Sequence, residues 1–426
     1  MVPRAALEAA VVVTKKKLTA NGLRPGANKN WLEGRSRSIL YRQLCFIVLV
    51  LFCSTNFAAV LPEDRVDLLL HSYDGGGATI NGPSILVRKG FSETVSVYGN
   101  YYIDMVTSAT IDVLVLGASE YQEKRTEFSV GADYLRDKTI MSLSYTNSVE
   151  NDYEAETYGF GISQDFFGDL TNISLGITFG HDDVRRNLPV QPGDPVFADE
   201  ADHRRFSLGI SQIISKNFLL AMNFESVIDE GYLNNPYRSY RYLNSAGDVA
   251  FREEFYPRTH NSDAVALRGL YYLPYRASIR AEYRTFGDSW DIQATSGELR
   301  YIHPIEKWGL TLEGKLRTYS QTQAEFYSDL FLTEDVANPP IEFRARDKEM
   351  SEFSTGTFGL GVTYELQPGI IPFVDRSSVN FYWDHIRFDY QNFHNALLTS
   401  ATVLPGTEPL YGFNANIIRL YFSAWY

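Results

Sequence analysis

The chain has 426 residues, with 39 Lys and Arg against 52 Asp and Glu, a formal net charge of −13 and two cysteines. The acidic excess disfavours a nucleic-acid-binding protein, because phosphate contacts require Lys and Arg in excess. A polytopic helical membrane protein is excluded, because it needs repeated apolar stretches of about 20 residues. This chain has one uninterrupted apolar block, at 45–53, which is too short to span a bilayer.

The apolar block has the layout of a secretory signal. Arg35, Arg37 and Arg42 precede it, and small residues follow it. We therefore predict cleavage near Ala58 or Ala59. A buried strand or an N-terminal anchor helix is the alternative.

These signals predict three parts: a non-native or disordered extension at 1–38, a signal peptide at 39–59, and an exported domain at 60–426. Loss of residues 1–59 would leave 30 basic and 50 acidic residues, because that segment holds nine basic and two acidic ones. Both cysteines would be lost with it, so the exported domain would have no disulfide and no thiolate metal site.

From about residue 65 onward the chain alternates apolar and polar residues, as in 172–180, 278–285 and 358–366. This period of two predicts strands. The predicted strands have about 10–14 residues, against about 5–6 in soluble sheets, and a membrane-spanning strand needs about 9–11. The polar face also carries charges deep inside strands. They are Glu127, Asp133, Glu225, Arg268, Arg280, Glu282, Arg284, Glu313, Lys315 and Arg317. An apolar outer face and a charged inner face indicate an all-β fold, a closed antiparallel transmembrane β-barrel.

The predicted connections alternate between short and long. Seven short turns lie at 89–92, 136–138, 167–169, 215–217, 274–276, 304–307 and 367–376. Long loops are predicted at 107–124, 184–202, 231–260, 323–352 and 391–410. With a first strand at 65–73 and a last strand at 411–426, the count is about sixteen strands, with fourteen or eighteen as alternatives. Short turns on one rim are typical of the periplasmic side of a bacterial outer-membrane barrel.

The last strand carries a candidate assembly signal. Ile418, Leu420, Phe422 and the terminal Tyr426 share one face, and Trp425 precedes the terminal Tyr. This pattern indicates a strand that the barrel assembly machinery reads. An ordinary C-terminal strand is the alternative.

Seven short motifs resemble a known family over about 61–426. They are PEDR at 62–65, YDGGG at 73–77, YYIDMV at 101–106, NDY at 151–153, YLNNPYR at 232–238, FYSDLF at 326–331 and DHIRFDY at 384–390. The family is a group of Gram-negative outer-membrane barrel proteins known only as a domain of unknown function. The resemblance implies no established activity. It does imply genomic neighbours: a small periplasmic lipoprotein, a thioredoxin-like protein and a flavin-transferring enzyme, which together hint at an envelope redox system.

Catalytic and metal-binding motifs are sparse. The chain has no Gly-x-Ser-x-Gly elbow, no His-Glu-x-x-His pair and no phosphate loop. Asp384 and His385 are the best acid–base candidates, but adjacent strand residues point to opposite faces. The seven histidines show no ligand spacing, so we predict no cofactor and no metal site. The acidic run at 150–156 could hold Ca²⁺ or bridge to lipopolysaccharide through divalent ions, with a solvated loop as the alternative.

Two further groups of residues are candidates for recognition. The charges on the inner face either brace the barrel wall or set an ion preference. The loop at 231–260 has a Tyr- and Arg-rich composition that suits either ligand binding or packing within the loop. Its candidates are Tyr232, Tyr237, Arg238, Tyr240 and Arg241.

We therefore expect an outer-membrane barrel of a Gram-negative bacterium that acts as a channel or structural barrel, with a charged lumen partly occluded by loops. A scaffold or conduit for periplasmic redox or flavin-related partners is one alternative, and an outer-membrane hydrolytic enzyme using Asp384 and His385 is another. The expected partners are membrane lipid, lipopolysaccharide, the barrel assembly machinery and a small periplasmic lipoprotein or redox protein. Nucleic acid is not among them.

Overall fold

The computed structural model describes residues 59–116, 121–188, 191–335 and 340–426. The predicted extension at 1–38 and the predicted signal peptide up to residue 58 lie outside the described residues. The strands are β1 (Arg65–Gly75), β2 (Ala78–Phe91), β3 (Val95–Ser108), β4 (Tyr121–Arg136), β5 (Thr139–Val149), β6 (Tyr153–Phe166), β7 (Thr171–Leu188), β8 (Gln191–Ser215), β9 (Phe218–Gly231), β10 (Ser239–Leu243), β11 (Val249–Glu253), β12 (Thr259–Tyr272), β13 (Ser278–Asp288), β14 (Gln293–Ile305), β15 (Leu310–Gln321), β16 (Phe353–Leu366), β17 (Arg376–His394) and β18 (Leu410–Trp425).

Sixteen of these strands form one closed antiparallel barrel, and β10 and β11 form a separate two-stranded sheet. The barrel closes where β1 pairs with β18, from Arg65 opposite Trp425 to Gly75 opposite Ala415. Closure leaves no strand edge with unpaired backbone groups, which a sheet exposed to lipid cannot tolerate. The structure confirms the predicted fold class and the count of sixteen strands.

The two faces of the wall differ as the alternation predicts. In β13, for example, Tyr283 is exposed on the outside, whereas Arg280, Glu282 and Arg284 on the other face are partly buried. Apolar side chains exposed on the outer face recur around the barrel. Examples are Leu70, Val87, Tyr101, Phe128, Leu143, Phe160, Leu175, Phe206, Leu267, Leu299, Leu316, Phe358 and Leu420. Such side chains gain by contact with lipid chains, so the outer face suits a bilayer.

Helical structure is limited to one turn of α-helix and three 3₁₀ segments in the described part of the chain. The α-helix, α1 (Ile111–Val115), follows β3, and the 3₁₀ segments are Glu306–Trp308, Lys348–Met350 and Ala396–Leu398. None of the described helices is long and apolar enough to cross a membrane.

The predicted asymmetry of the two rims is observed, with one error. All seven short turns connect strands where they were expected. The loop predicted at 184–202 is wrong, because β7 continues to Leu188 and β8 begins at Gln191, with a register shift near Arg186. These ends lack apolar alternation because the outer face carries charges here, such as Asp183 and Arg185. Backbone pairing nevertheless continues, so the hairpin extends well past the neighbouring strands. The long loop at 231–260 likewise contains the unpredicted strands β10 and β11.

Candidate functional site: the barrel interior and the loop cap

One half of the interior, from β12 to β18, is a wall of alternating charges, which we call the charged wall. Arg268 and Arg280 share Glu282, at 2.6 and 3.3 Å. Arg300 contacts both Glu298, at 2.5 Å, and Glu313, at 3.0 Å. The pairs Arg268–Glu282 and Arg300–Glu313 bridge neighbouring strands, whereas Arg280–Glu282 and Arg300–Glu298 each lie within one strand, two residues apart.

A second group in the charged wall surrounds Asp384. Its carboxylate accepts from Lys315 at 2.6 Å and from Arg419 at 2.8 Å. His385 lies on the opposite face of β17, where its Nδ1 is 3.0 Å from Asn416 Oδ1. The carboxylate is thus occupied by two cations and the imidazole is on the other side of the wall, so the two residues do not form an acid–base pair.

Of the remaining predicted interior charges, Arg284 and Arg317 belong to β13 and β15, and three others lie outside β12–β18. Glu127 accepts from Arg125 at 2.7 Å, and Asp133 accepts from Arg88 at 2.5 Å. Glu225 of β9 is considered below with Arg284.

The opposite half, from β5 to β8, presents small hydroxyl and glycine residues. Gly159 lies so close to Ser144 that a Cβ on the glycine would be 2.5 Å from the serine Oγ, and Gly176 has the same relation to Ser207. These neighbours leave no room for larger side chains at the glycines. The interior is therefore asymmetric, with long charged side chains facing short hydroxyls.

A row of alternating Asp and His side chains runs across five strands near the long-loop rim. His203 bridges Asp182 at 2.9 Å and Asp229 at 2.7 Å. His260 then bridges Asp229 at 3.1 Å and Asp288 at 2.9 Å. Each imidazole faces a carboxylate at both ring nitrogens, which favours the doubly protonated form because only that form donates twice. We call these residues the Asp–His row. No sequence pattern predicts it, because its members are scattered along the chain.

The long connections 232–258, 322–335, 340–352 and 395–409 pack together, and we call them the loop cap. Arg241 of β10 joins three of them. Its Nε donates to Asp329 O at 2.8 Å, and its Nη1 donates to Glu408 Oε1 at 2.7 Å. Asp329 also pairs with Arg346 at 3.1 Å and with His394 at 2.9 Å. The Arg241 side chain is only 1% exposed, so this network is shielded from water.

An apolar core lies beneath the same network. Trp290 meets Tyr256 edge to face at 5.6 Å between ring centroids, and Phe393 and Ala345 are fully buried. The core contains residues of the loop cap and of the adjoining strand ends. The cap is therefore packed onto the barrel rather than tethered only by its ends.

Two buried carboxyl groups in the loop cap have opposite pKa shifts. Burial, reinforced by the charge of Asp347, raises the pKa of Glu254 to about 7. Burial alone would also raise the pKa of Glu408, but hydrogen bonds from Arg241 and Thr399 outweigh it and lower that pKa to about 2. Glu408 is thus held as an anion, whereas Glu254 is close to neutral.

The predicted recognition residues of the loop at 231–260 are split between surface and interior. Tyr240 and Arg241 are buried, and Tyr240 packs edge to face on Phe331 at 5.1 Å. Tyr232 stacks near Phe197 at 4.6 Å, and Arg238 lies 3.7 Å from Asp347. Tyr237 alone of the five candidates is well exposed. The aromatic composition mainly serves packing within the cap.

The acidic run at 150–156 does not form one site. Glu150 and Asp152 lie with Glu123, with one carboxylate oxygen of each within 4.8 Å of the others. Glu154 and Glu156 belong to β6 instead, so the predicted short loop is wrong for them. Glu156 accepts from Tyr145 at 3.0 Å.

The C-terminal strand presents the predicted alternation. Ile418, Leu420 and Tyr426 are exposed. Trp425 lies under the guanidinium of Arg376, at 4.3 Å from the ring centroid. This strand, β18, also closes the barrel by pairing with β1, and we call that pair the seam. The candidate assembly signal therefore lies at the seam.

These features define a class of protein: a closed sixteen-stranded barrel with an apolar outer face and a charged interior, the architecture of outer-membrane barrel proteins. The chain belongs to the family described as "Protein of unknown function (DUF3570)", whose model matches residues 76–409. The resemblance seen in the seven motifs is confirmed. A comparison with the curated proteins found no match.

Solved structures similar to the chain include three outer-membrane proteins. A bacterial polysaccharide outer membrane secretin has a TM-score of 0.45 and 7% identity, over 86% of this chain and 100% of that one. The siderophore receptor PirA from Acinetobacter baumannii has a TM-score of 0.42 and 12% identity, over 84% of this chain and 57% of that one. OccK2 (OpdF) of Pseudomonas aeruginosa, solved with glucuronate, has a TM-score of 0.40 and 10% identity, over 86% of this chain and 99% of that one. Identities this low give no residue-level correspondence.

Proposed function

We propose that the protein is an outer-membrane channel whose extracellular mouth is held closed by the loop cap. The short-turn rim would face the periplasm and the loop cap would face the exterior. Lipid and lipopolysaccharide contacts at the outer face, and insertion by the barrel assembly machinery, belong to the same proposal.

The observation that carries the proposal is the position of Arg241. Its hairpin arises between β9 and β12, whereas Asp329 follows β15 and Glu408 precedes β18. In the barrel order, β9 and β18 are separated by six strands on one side and eight on the other. The hairpin therefore reaches across the mouth to loops that come from distant parts of the rim.

The test is single-channel conductance of purified protein in planar bilayers, for the wild type and for Arg241→Ala. We expect a small or absent conductance in the wild type and discrete steps in the variant, because removal of the guanidinium leaves Glu408 buried without its cation and leaves Asp329 with one arginine, Arg346, instead of two. Heat-modifiable migration on a gel checks that the variant barrel is closed.

A disulfide rescue provides the matched control. Tyr242 and Phe331 are paired through an isolated β-bridge, with Leu243 N donating to Phe331 O at 2.9 Å. Tyr242→Cys with Phe331→Cys in the Arg241→Ala background should close the channel on oxidation and reopen it on reduction. A variant whose loops are cleaved readily by protease but which shows no conductance step would overturn the channel proposal.

A further inference from the structure

The strongest unexplained feature of the interior is an arc of three arginines with one carboxylate between them. Arg205 of β8 and Arg284 of β13 both approach Glu225 of β9, at 3.7 and 3.5 Å. Arg317 of β15 lies two strands beyond Arg284 in the barrel order, opposite Glu298 of β14 in the register. These distances are longer than those of charge-assisted hydrogen bonds, which cluster near 2.7–2.9 Å, so Glu225 neutralises its neighbours incompletely.

Arg317 has no partner of its own within the described ranges. Its guanidinium forms no hydrogen bond or ion pair there, and its side chain is exposed to the interior. Lys315, two residues earlier on the same strand, contacts Asp384 at 2.6 Å and is mostly buried. A charged side chain that only stabilised the wall would be buried and paired with a carboxylate, as Lys315 is. Stabilisation of the wall therefore does not explain Arg317.

The residues between the arginines are small or hydroxylated. The register places Ala264 and Ala266 of β12 between Glu225 and Arg284, and Ser296 of β14 beside Arg284. Small side chains leave the guanidinium groups accessible from the lumen. The arc thus has the donors of an oxyanion site without the bulk that would cover them.

The charges nearest the arc on its loop side do not cancel it. Asp182, Asp229 and Asp288 of the Asp–His row lie towards the cap, and each of them contacts His203, His260 or both. Two of these three carboxylates are therefore offset by the two imidazolium groups, and the row keeps one negative charge. The three arginines outnumber Glu225 by two, and Glu298, which lies opposite Arg317 in the register, is paired with Arg300 at 2.5 Å.

We propose that Arg205, Arg284 and Arg317 form a lumenal binding site for small solutes that carry carboxylate or phosphate groups. This deepens the proposed channel function and rests on it for the route by which such solutes would pass. Guanidinium groups bind both kinds of oxyanion through two parallel N–H donors. The hydroxyl groups of the facing wall would suit the polar remainder of such a solute.

The test measures binding rather than transport, by calorimetric titration of the full chain in detergent with citrate and, separately, with inorganic pyrophosphate. The titrations use the wild type and the cap-weakened Arg241→Ala background. We expect saturable binding that weakens as salt is raised, because the arginines are partly exposed. Arg317→Gln and Arg284→Gln should each weaken binding about tenfold, and the double variant about a hundredfold.

The control is Lys216→Gln with Lys307→Gln, which removes the same charge from two exposed residues of the short-turn rim and should leave binding unchanged. Arg317→Gln removes no interaction of the wall, so a folding defect is not expected, and heat-modifiable migration checks this.

Absence of binding by both backgrounds, or equal weakening by the control pair, would overturn the site. Binding of one probe only would assign the site to carboxylates or to phosphates. If the probes bind but no conductance is seen, the channel proposal fails and the binding site stands. If conductance is seen but neither probe binds, the binding site fails and the channel proposal stands.

Discussion

The loop cap and the charged wall are built from the same groups, arginine and carboxylate, in opposite surroundings. Arg241 in the cap is 1% exposed, whereas Arg284 in the wall is 42% exposed. A buried ion pair that loses one partner leaves an uncompensated charge in a poorly solvated place, and an exposed pair does not. The contribution of each ion pair to stability therefore depends on how deeply it is buried, more than on the distance between its charged atoms.

The same contrast separates rigid from adaptable parts of the molecule. In the cap, one arginine joins segments that are far apart in the chain, so its loss affects all of them at once. In the wall, backbone pairing of neighbouring strands fixes the geometry whether or not the side chains pair. The proposals of gating by the cap and of solute contact in the wall both rest on this difference.

The largest effect is expected for Arg241→Ala. Its loss should destabilise the closed cap by about 3–5 kcal/mol, because Glu408 stays buried without its cation and Asp329 loses one of its two arginines. Limited proteolysis should then cut within 232–258 at a much higher rate. Arg387→Ala, which removes an exposed pair with Asp389, is the control and should leave the cleavage rate unchanged.

The next effect is a pH dependence of the cap that comes from Glu254. Its pKa is about 7 in the folded cap and would return to about 4.5 on opening. The closed cap therefore holds a proton that the open cap releases, so closure is favoured below about pH 4.5 and weakens by about 1–3 kcal/mol as the pH rises towards 7 and above. Glu408, whose pKa is about 2 in the folded cap, acts in the opposite direction and only below about pH 4.5, so the dependence on Glu254 is read above that pH.

Acrylamide quenching of Trp290, with the other tryptophans replaced by Phe, would follow cap opening in urea at each pH. Glu254→Gln should flatten the dependence. A urea midpoint that rose with pH in the unmodified protein would contradict the assignment.

A smaller effect is expected for Asp384→Asn in the wall. The carboxylate is 8% exposed and holds Lys315 and Arg419, so its loss should cost the barrel about 1–3 kcal/mol, between the exposed and fully buried cases. The urea midpoint of the barrel in detergent micelles measures it. A loss as large as that of Arg241→Ala would mean that burial does not rank these pairs.

The smallest effect is expected for Arg284→Gln. Its pair with Glu225 is long and exposed, so the change in unfolding free energy should stay below about 1 kcal/mol. The same urea titration applies. A drop of several kcal/mol would show that the arc braces the wall and would weaken the case for a solute site.

The wall was predictable from the sequence because its signal is local. Alternation within single strands, as in 172–180, reports which face is apolar, and short turns such as 136–138 report where strands reverse. This local signal is missing where both faces of a strand are polar. The outer ends of β7 and β8 lie in that situation, and there the backbone pairs without any apolar pattern.

The cap and the Asp–His row were not predictable because they depend on register and on contacts between distant segments. Arg241 and Glu408 lie 167 positions apart, and neither has a local pattern that identifies the other. Composition did point to the loop at 231–260, but it could not separate buried Tyr240 from exposed Tyr237. The resemblance to the family placed the motif at 326–331 correctly in the chain without indicating that Asp329 is the centre of the cap.

The seam between β1 and β18 has a kinetic consequence. Every other strand pair in the barrel joins segments that are neighbours in the chain or are separated by one loop insertion, whereas the seam joins Arg65 to Trp425. Closing so long a loop has the greatest entropic cost of any strand pairing in the molecule, so the β1–β18 pair forms slowly. Until it forms, β1 and β18 each present a row of unpaired backbone groups to any other extended chain. The lifetime of that open edge, more than the stability of the finished barrel, would decide how much of the protein is lost to aggregation.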